Sequence, residues 1–380
     1  MREAAQAAAT SLTLLSALFP SIPSSSLPEA SPPSVREDQW HLRYLKVEKA
    51  HQISRGAGVV VAVPDTGVEK HPDLRRNLLE GIDLTPERGG DGLQDQDSHG
   101  TGMAGLIAAH GEAQGGALGI APMAKILPVR IKIANEQGGS DNLAAGIEYA
   151  VSRRASVISI SMTGEPDVRL QQAIKEATQA NIVVVAGAGN QPDQRGVGYP
   201  AAYPGVVAVG GTSQYGKHAS ISVSGPEIDV VAPAVDIYST SINGKYRKGT
   251  GTSDATAIVA GAAALVRSKY PYLPAAEVVH RLTATAVDKG PPGRDDEYGY
   301  GVIDLVAALT ADVPPLGFES TTATPPRTGA TSAAAQPASG GVGAAVRGWA
   351  TLGVIVAAGC GFLVWRRRRR ADDPPPRISR

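Results

Sequence analysis

Val59-Val-Val-Ala-Val-Pro-Asp-Thr-Gly-Val68 opens on small apolar, mostly β-branched residues and turns polar at Asp65. A run that is apolar at consecutive positions, not at every second one, reads as a strand buried on both faces. Four further runs, Ile126–Ile131, Val157–Ile160, Ile182–Ala186 and Val206–Val209, read the same way. Between them, His99–His110, Asp141–Arg154, Val168–Ala180 and Thr252–Tyr270 carry apolar residues at helical spacing. Strands alternating with helices predict an α/β fold. Its core is a doubly wound, mostly parallel sheet with helices on both faces and ligand sites outside the carboxyl ends of the strands.

The rest of the chain narrows what such a domain does. Lys plus Arg equals Asp plus Glu at 36 each, and no basic stripe interleaved with aromatics occurs, so no nucleic-acid partner is expected. The single cysteine, Cys360, lies in an apolar run near the C-terminus. That placement excludes an internal disulfide, a thiolate zinc cluster and a cysteine nucleophile in the preceding domain. No histidine or carboxylate cluster has metal-ligand spacing, so no cofactor is expected; structural calcium held by surface oxygens is allowed but nothing indicates it. His41, His51, His71, His110, His218 and His280 lie outside any motif and read as structural.

Composition divides the chain into segments. Residues 1–30 carry Arg2, an Ala/Leu-rich stretch and a Pro/Ser-rich break, the pattern of a cleaved export signal. Residues 31–310 hold the strand–helix alternation. Residues 311–343 are rich in Pro, Thr, Ala, Ser and Gly, a linker with too little apolar surface to pack. Residues 348–365 form an uncharged apolar run of 18 residues bracketed by Trp349 and Trp365. At ~1.5 Å per residue a helix of that length reaches about 27 Å, enough for a bilayer core. Residues 366–380 begin with five arginines, which hold that end in the cytoplasm and leave everything before the span outside.

Four stretches carry residues suited to acyl transfer by serine, which needs a nucleophile, a base, a carboxylate that orients the base, and donors for the oxyanion. Asp65 ends the first apolar run. Asp97-Ser-His-Gly-Thr-Gly-Met-Ala-Gly105 places His99 at the start of a helix. Gly249-Thr-Gly-Thr-Ser-Asp-Ala-Thr-Ala-Ile-Val-Ala-Gly261 places Ser253 at a helix N-terminus after a glycine-rich turn, where free amides favour negative charge. Ile182-Val-Val-Val-Ala-Gly-Ala-Gly-Asn190 ends a strand on an amide side chain. Taken singly these are a turn aspartate, a helix-start histidine, a serine cap and a loop asparagine. Together, all at the ligand edge of one sheet, they make Ser253 the candidate nucleophile and His99 its base. Asp65 is then the orienting carboxylate, and the Ser253 backbone N–H with Asn190 forms the oxyanion hole.

The order Asp, His, Asn, Ser is that of subtilisin, and the segments around these residues resemble the subtilase family of serine peptidases from about Gly58 to Ala308. Tyr199-Pro-Ala-Ala-Tyr-Pro-Gly-Val-Val-Ala-Val-Gly210 and Asp229-Val-Val-Ala-Pro233 are similar to further family segments. Gln39-Trp-His-Leu, the linker and the C-terminal span together resemble the mycosins, membrane-anchored subtilases associated with type VII secretion in actinobacteria. The resemblance implies a subtilisin-like fold and an endopeptidase of exported proteins. It assigns Asp65, His99, Asn190 and Ser253 the roles given above. It also implies that Ser161, Met162, Thr163 and Gly164 pair with an extended peptide substrate. A peptidase domain on the outer membrane face and secretion-complex partners follow from the mycosin likeness. So short a segment before Gln39 leaves no room for a folded pro-domain.

The chain departs from the family pattern at several positions. Pro64 removes one ladder donor from a central strand. Gly102 stands for the second histidine of the common His-Gly-Thr-His. Asp254 and Ala257 stand where Met and Pro are usual, and a carboxylate beside the nucleophile favours the charged form of His99. The altered surroundings of Ser253 keep open two other readings: a catalytically quiet scaffold for a secretion complex, and an anchored binding protein.

Overall fold

The computed structural model describes residues 34–86, 89–111, 115–133 and 139–317. The expected leader, the apolar run at 348–365 and the basic tail lie outside them, as does the linker past residue 317. Among the described residues no helix is long and apolar enough to cross a membrane.

Seven parallel strands form the central sheet: β1 (Val60–Asp65), β2 (Ile82–Asp83), β3 (Lys125–Arg130), β4 (Val157–Ile160), β5 (Val183–Gly187), β6 (Val206–Thr212) and β7 (Val230–Pro233). Their order is β2-β3-β1-β4-β5-β6-β7. The chain leaves β1 toward β2 and β3 on one side and comes back to β4 on the other. The winding therefore reverses at the carboxyl end of β1, the place where open α/β sheets bind ligands. Each predicted strand is present with its ends within three residues of those expected, and β4 coincides.

Because successive strand side chains alternate faces, an all-apolar strand feeds two cores. Val183 and Val185 enter one layer together with Met103, Leu106, Ile107, Ile258, Val259 and Leu265. Val184 and Ala186 enter the other with Leu143, Ile147, Leu170 and Ile174. Each such side chain contributes about 1.5–3 kcal/mol on burial. The helices sort accordingly. α4 (His99–Ala108) and α7 (Thr252–Lys269) cover the first face, and α5 (Ser140–Ser152) and α6 (Val168–Gln179) cover the second. α6 is amphipathic, burying Leu170, Ala173, Ile174 and Ala177, and Asp167 caps it by accepting the Leu170 N–H. α7 is instead buried around most of its circumference, because β4 to β7, α4 and two later helices, α8 (Ala275–Ala284) and α9 (Leu305–Thr310), all pack on it. Where it passes Ile120 only glycine fits: a methyl group on Gly261 would stand 2.6 Å from the Ile120 side chain.

Pro64 does not disturb Asp65. The Val60 carbonyl accepts from Ser156 ahead of β4, whereas the Asp65 carbonyl accepts from Ile131 beyond β3 at 2.9 Å. Even-numbered residues of β1 thus face β4, and that pairing ends at Ala62 opposite Ile158, before the missing donor matters. The ladder to β3 runs on to Asp65 opposite Arg130.

Three short N-terminal helices, α1 (Val35–Asp38), α2 (Trp40–Tyr44) and α3 (Val47–His51), pack on the first core through Val35, Leu42, Leu45, Val47 and Ala50. Gln39 is fully buried. Its amide donates to the Leu118 and Tyr238 carbonyls at 3.1 Å each and its oxygen accepts from the Leu118 N–H at 2.8 Å, so this segment is an integral part of the domain. An antiparallel hairpin, β8 (Ile237–Thr240) and β9 (Tyr246–Gly249), precedes α7.

Candidate active site

Asp65 sits at the carboxyl end of β1 and is 1% exposed. One of its oxygens accepts the Thr66 N–H at 2.7 Å. The next contacts bring α4 against that turn. Gly100 donates its N–H to Thr66 Oγ1 at 3.0 Å, and a methyl group on Gly100 would stand 2.1 Å from the Gly67 carbonyl oxygen. Ser98, at the helix start, is left-handed (φ 84°) and does not cap. Asp95 takes that role. Its Oδ1 accepts from the Asp97 and Ser98 amides at 2.9 and 3.0 Å, and its Oδ2 from the Thr101 N–H at 2.9 Å and the Thr101 hydroxyl at 2.6 Å.

So held, His99 places Nδ1 2.9 Å from both oxygens of Asp65. Lys132, just past β3, brings its ammonium to 3.9 Å from Asp65 Oδ1. Burial alone would raise the Asp65 carboxyl. The charge and hydrogen bond of His99, the Lys132 ammonium and the Thr66 amide outweigh it and hold the group below the usual carboxylate range. A carboxylate kept ionised against one imidazole nitrogen fixes the tautomer and leaves the other nitrogen to act as a base.

Ser253 is the second residue of α7, reached through Gly251, and α4 packs against α7. Its hydroxyl donates to the Ser161 carbonyl at 3.5 Å, and the Ser161 hydroxyl donates to the Ser253 carbonyl at 3.3 Å. Among the described residues no hydrogen bond joins Ser253 Oγ to His99; the hydroxyl is turned to the Ser161 carbonyl instead. Asn190 follows β5. Its Oδ1 accepts from the Thr252 N–H at 2.9 Å and from the Thr252 hydroxyl at 3.2 Å, which leaves Nδ2 as the free donor beside Gly251. First-turn amides of a helix have no partner within it. Asn190 Nδ2 and the Ser253 N–H are thus two donors at one helix N-terminus.

Of the four residues expected to meet a peptide, Gly164 is already paired. Its N–H donates to the Tyr199 carbonyl at 2.8 Å and its carbonyl accepts from the Tyr199 N–H at 3.1 Å. Alternation along an extended backbone then turns the polar groups of Thr163 and Ser161 to the opposite side. Met162 is half-buried against the second core. Thr163 Oγ1 accepts a hydrogen bond from Gln194.

Three participants escaped the sequence reading. Asp95 and Thr66 act through backbone amides, and Lys132 is an ordinary residue that the strand merely happens to aim. Of the histidines read as structural, His41 and His71 are fully buried, while His51 and His280 bond to the carbonyls of Ile120 and Pro314. Among the described residues no group of three or more His, Cys, Asp or Glu side chains could hold a metal.

A parallel sheet whose switch point carries a carboxylate–imidazole pair beside a helix-borne serine defines a serine peptidase. The chain belongs to the subtilase family, whose model matches residues 56–301, and is a serine endopeptidase of that family. It is 37% identical to subtilisin BL of Lederbergia lenta over 271 residues, 71% of this chain and 97% of that one. Among solved structures, MycP1 with its N-terminal propeptide removed is similar at 33% identity and a TM-score of 0.66, covering 72% of this chain and 98% of that one. MycP3 protease from the type VII (ESX-3) secretion system is similar at 33% identity and a TM-score of 0.65, covering 75% and 91%.

Proposed function

We propose that the chain cuts extended segments of exported proteins by an acyl-enzyme mechanism at Ser253. The observation that carries this reading is the contact of His99 Nδ1 with both Asp65 oxygens at 2.9 Å, on the sheet edge where Ser253 and Asn190 also lie. Ser253 Oγ, turned toward His99 Nε2, gives up its proton as it attacks the scissile carbonyl. The resulting oxyanion lies against Asn190 Nδ2 and the Ser253 N–H, and the imidazolium is steadied by Asp65. His99 then hands the proton to the leaving amine, and water repeats the sequence in the second half-reaction. Ser161 and Thr163, with their backbone groups turned from Tyr199, offer the rungs on which a peptide would lie. The reaction so read calls for no cofactor.

The likeness to MycP1 and MycP3 supports a place in type VII secretion. The division at residues 311–343, 348–365 and 366–380 supports a domain tethered to the outer membrane face by a single C-terminal span. Labelling with a fluorophosphonate tests the chemistry: the parent takes the label and Ser253→Ala does not. Folded parent that takes no label sinks the enzyme reading and favours the quiet scaffold. A chain ending after Gly343 is expected in the soluble fraction; its retention in membranes sinks the tether.

A further inference from the structure

The three N-terminal helices, with Arg55 and Leu118, enclose a cleft of about 960 Å³. It lies at the amino ends of the strands, the edge of the sheet opposite Asp65, since the Arg55 carbonyl accepts the N–H of Met123, two residues ahead of β3, at 2.8 Å. Arg36, Arg43, Lys46, Lys49 and Arg55 line the cleft against two carboxylates, Glu37 and Glu48. Among the described residues none of the five cations makes an ion pair. In a chain whose formal charges cancel, that is a local excess of one sign. Arg43, Lys46, Lys49 and Arg55 are exposed, whereas Arg36 is half-buried. Arg36 donates its Nε–H to the Gly116 carbonyl at 3.0 Å, and its Nη2 is buried with no hydrogen-bond partner among the described residues. The floor is apolar, formed by Leu42, Val47 and the half-buried Leu118.

We propose that this cleft docks an acidic, extended segment of a partner protein, whose carboxylates meet the basic rim while an apolar side chain settles over Leu118 and its neighbours. A buried guanidinium N–H without a partner is costly, and an incoming carboxylate supplies a charge-assisted one. A bilayer suits the cleft less well. The cations line a hollow instead of standing on one plane, so a flat layer of headgroups would reach only the outermost of them. The wall is also already in shape. The Trp40 indole N–H donates to the Val235 and Asp236 carbonyls at 3.1 Å each, His51 Nε2 to the Ile120 carbonyl at 2.9 Å, and the Ser54 hydroxyl to the Leu265 carbonyl at 2.8 Å. A receptor so held loses little freedom when its partner arrives. Burial lowers the His51 imidazole below its ordinary value and the charges of Arg55 and Arg36 add to this, against the pull of the Ile120 bond, so both guanidiniums act on one point of the wall. Because Asp65 and Ser253 lie at the other edge of the sheet, a docked partner and a peptide being cut do not compete.

Binding alone tests this, so the outcome does not depend on whether the chain cleaves anything. The full chain, held in phosphatidylcholine nanodiscs, is titrated into a fluorescein-labelled heptapeptide of glutamates around one central leucine, and anisotropy is followed at low ionic strength. The parent is expected to bind it, with affinity falling as salt is raised. The counterpart peptide with glutamine for glutamate should bind about tenfold more weakly or worse, and the double variant Lys49→Glu, Arg55→Glu should lose about as much for the acidic peptide. Glu48→Gln should instead tighten binding. Both substituted positions of the double variant are exposed, and a thermal midpoint near that of the parent shows that it folds. No binding to the parent, equal affinity for the glutamine peptide, or an affinity untouched by the double variant would each overturn the proposal. Displacement of the peptide by phosphatidylglycerol vesicles, but not by inorganic phosphate at the same charge concentration, would give the cleft to a lipid surface and overturn it as well.

Discussion

Thr252 gives its backbone N–H to Asn190 Oδ1 at 2.9 Å, so the first turn of the nucleophile helix fixes the carboxamide of a residue 62 positions earlier. With the oxygen held, the amide nitrogen has one orientation left, and it faces the region over Gly251. Binding of a developing oxyanion then needs no reorganisation at the moment of reaction.

Replacement of Asn190 by Ala is expected to lower kcat by about 10²–10³-fold with little change in KM, since the lost donor serves the transition state alone. Steady-state kinetics on any peptide the parent cleaves decides this. A matching rise in KM with kcat intact would move Asn190 from oxyanion binding to ground-state binding.

Lys132→Met should lower stability near pH 5 and flatten its loss on acidification. The Asp65 carboxyl is lower in the folded chain than its ordinary 3.8, so it stabilises the fold above that value and loses the contribution as pH falls through the folded value. Removing the ammonium brings the folded value closer to the unfolded one and shrinks the contribution. Thermal midpoints recorded between pH 5 and 2 should start lower in the variant and converge on those of the parent as the pH falls, and coincident curves would exclude a role for Lys132.

His41 works in the opposite chemical sense with the same direction in pH. Burial lowers it from 6.5 to about 3, with Arg43 adding to the effect, and both ring nitrogens lack partners. Below pH 6.5 the unfolded chain gains a proton that the folded chain refuses, so stability drains away as pH falls from 6.5 toward 3. A His41→Leu variant that folds should show a flatter loss across that window in calorimetry; an unchanged slope would contradict the assignment.

Gly100→Ala is expected to cost about 1–3 kcal/mol and to impair labelling of Ser253, because the added methyl group has no space against the Gly67 carbonyl and α4 must back away from Asp65. Denaturant unfolding together with labelling rate measures both effects. Full activity with unaltered stability would show that the α4–β1 contact is looser than described.

The strands and long helices were legible because a sheet buried on both faces leaves unbroken Val and Ile runs, and Asp65, His99, Asn190 and Ser253 each follow or begin such an element. β2 was not, being two residues long with no pattern to display, nor was β7, whose Val230-Val-Ala-Pro233 is a short apolar run closed by a proline. Nor was the β8–β9 hairpin, whose Tyr246-Arg-Lys-Gly249 strand is largely exposed and polar. Gly102 was visible as an oddity, but nothing along the chain says that the Arg247 side chain of β9 lies along it. Tertiary proximity of that kind follows from how hairpin, α4 and α7 pack, not from any local propensity.

The two hydrogen bonds between Gly164 and Tyr199 clamp one edge of the segment that carries Ser161 and Thr163. On the reading proposed above, a guest strand would lie along the opposite edge, at Ser161 and Thr163, against a backbone already braced from behind. An edge so stiffened would present its free rungs ready-made, and a guest that docked there would do the ordering alone.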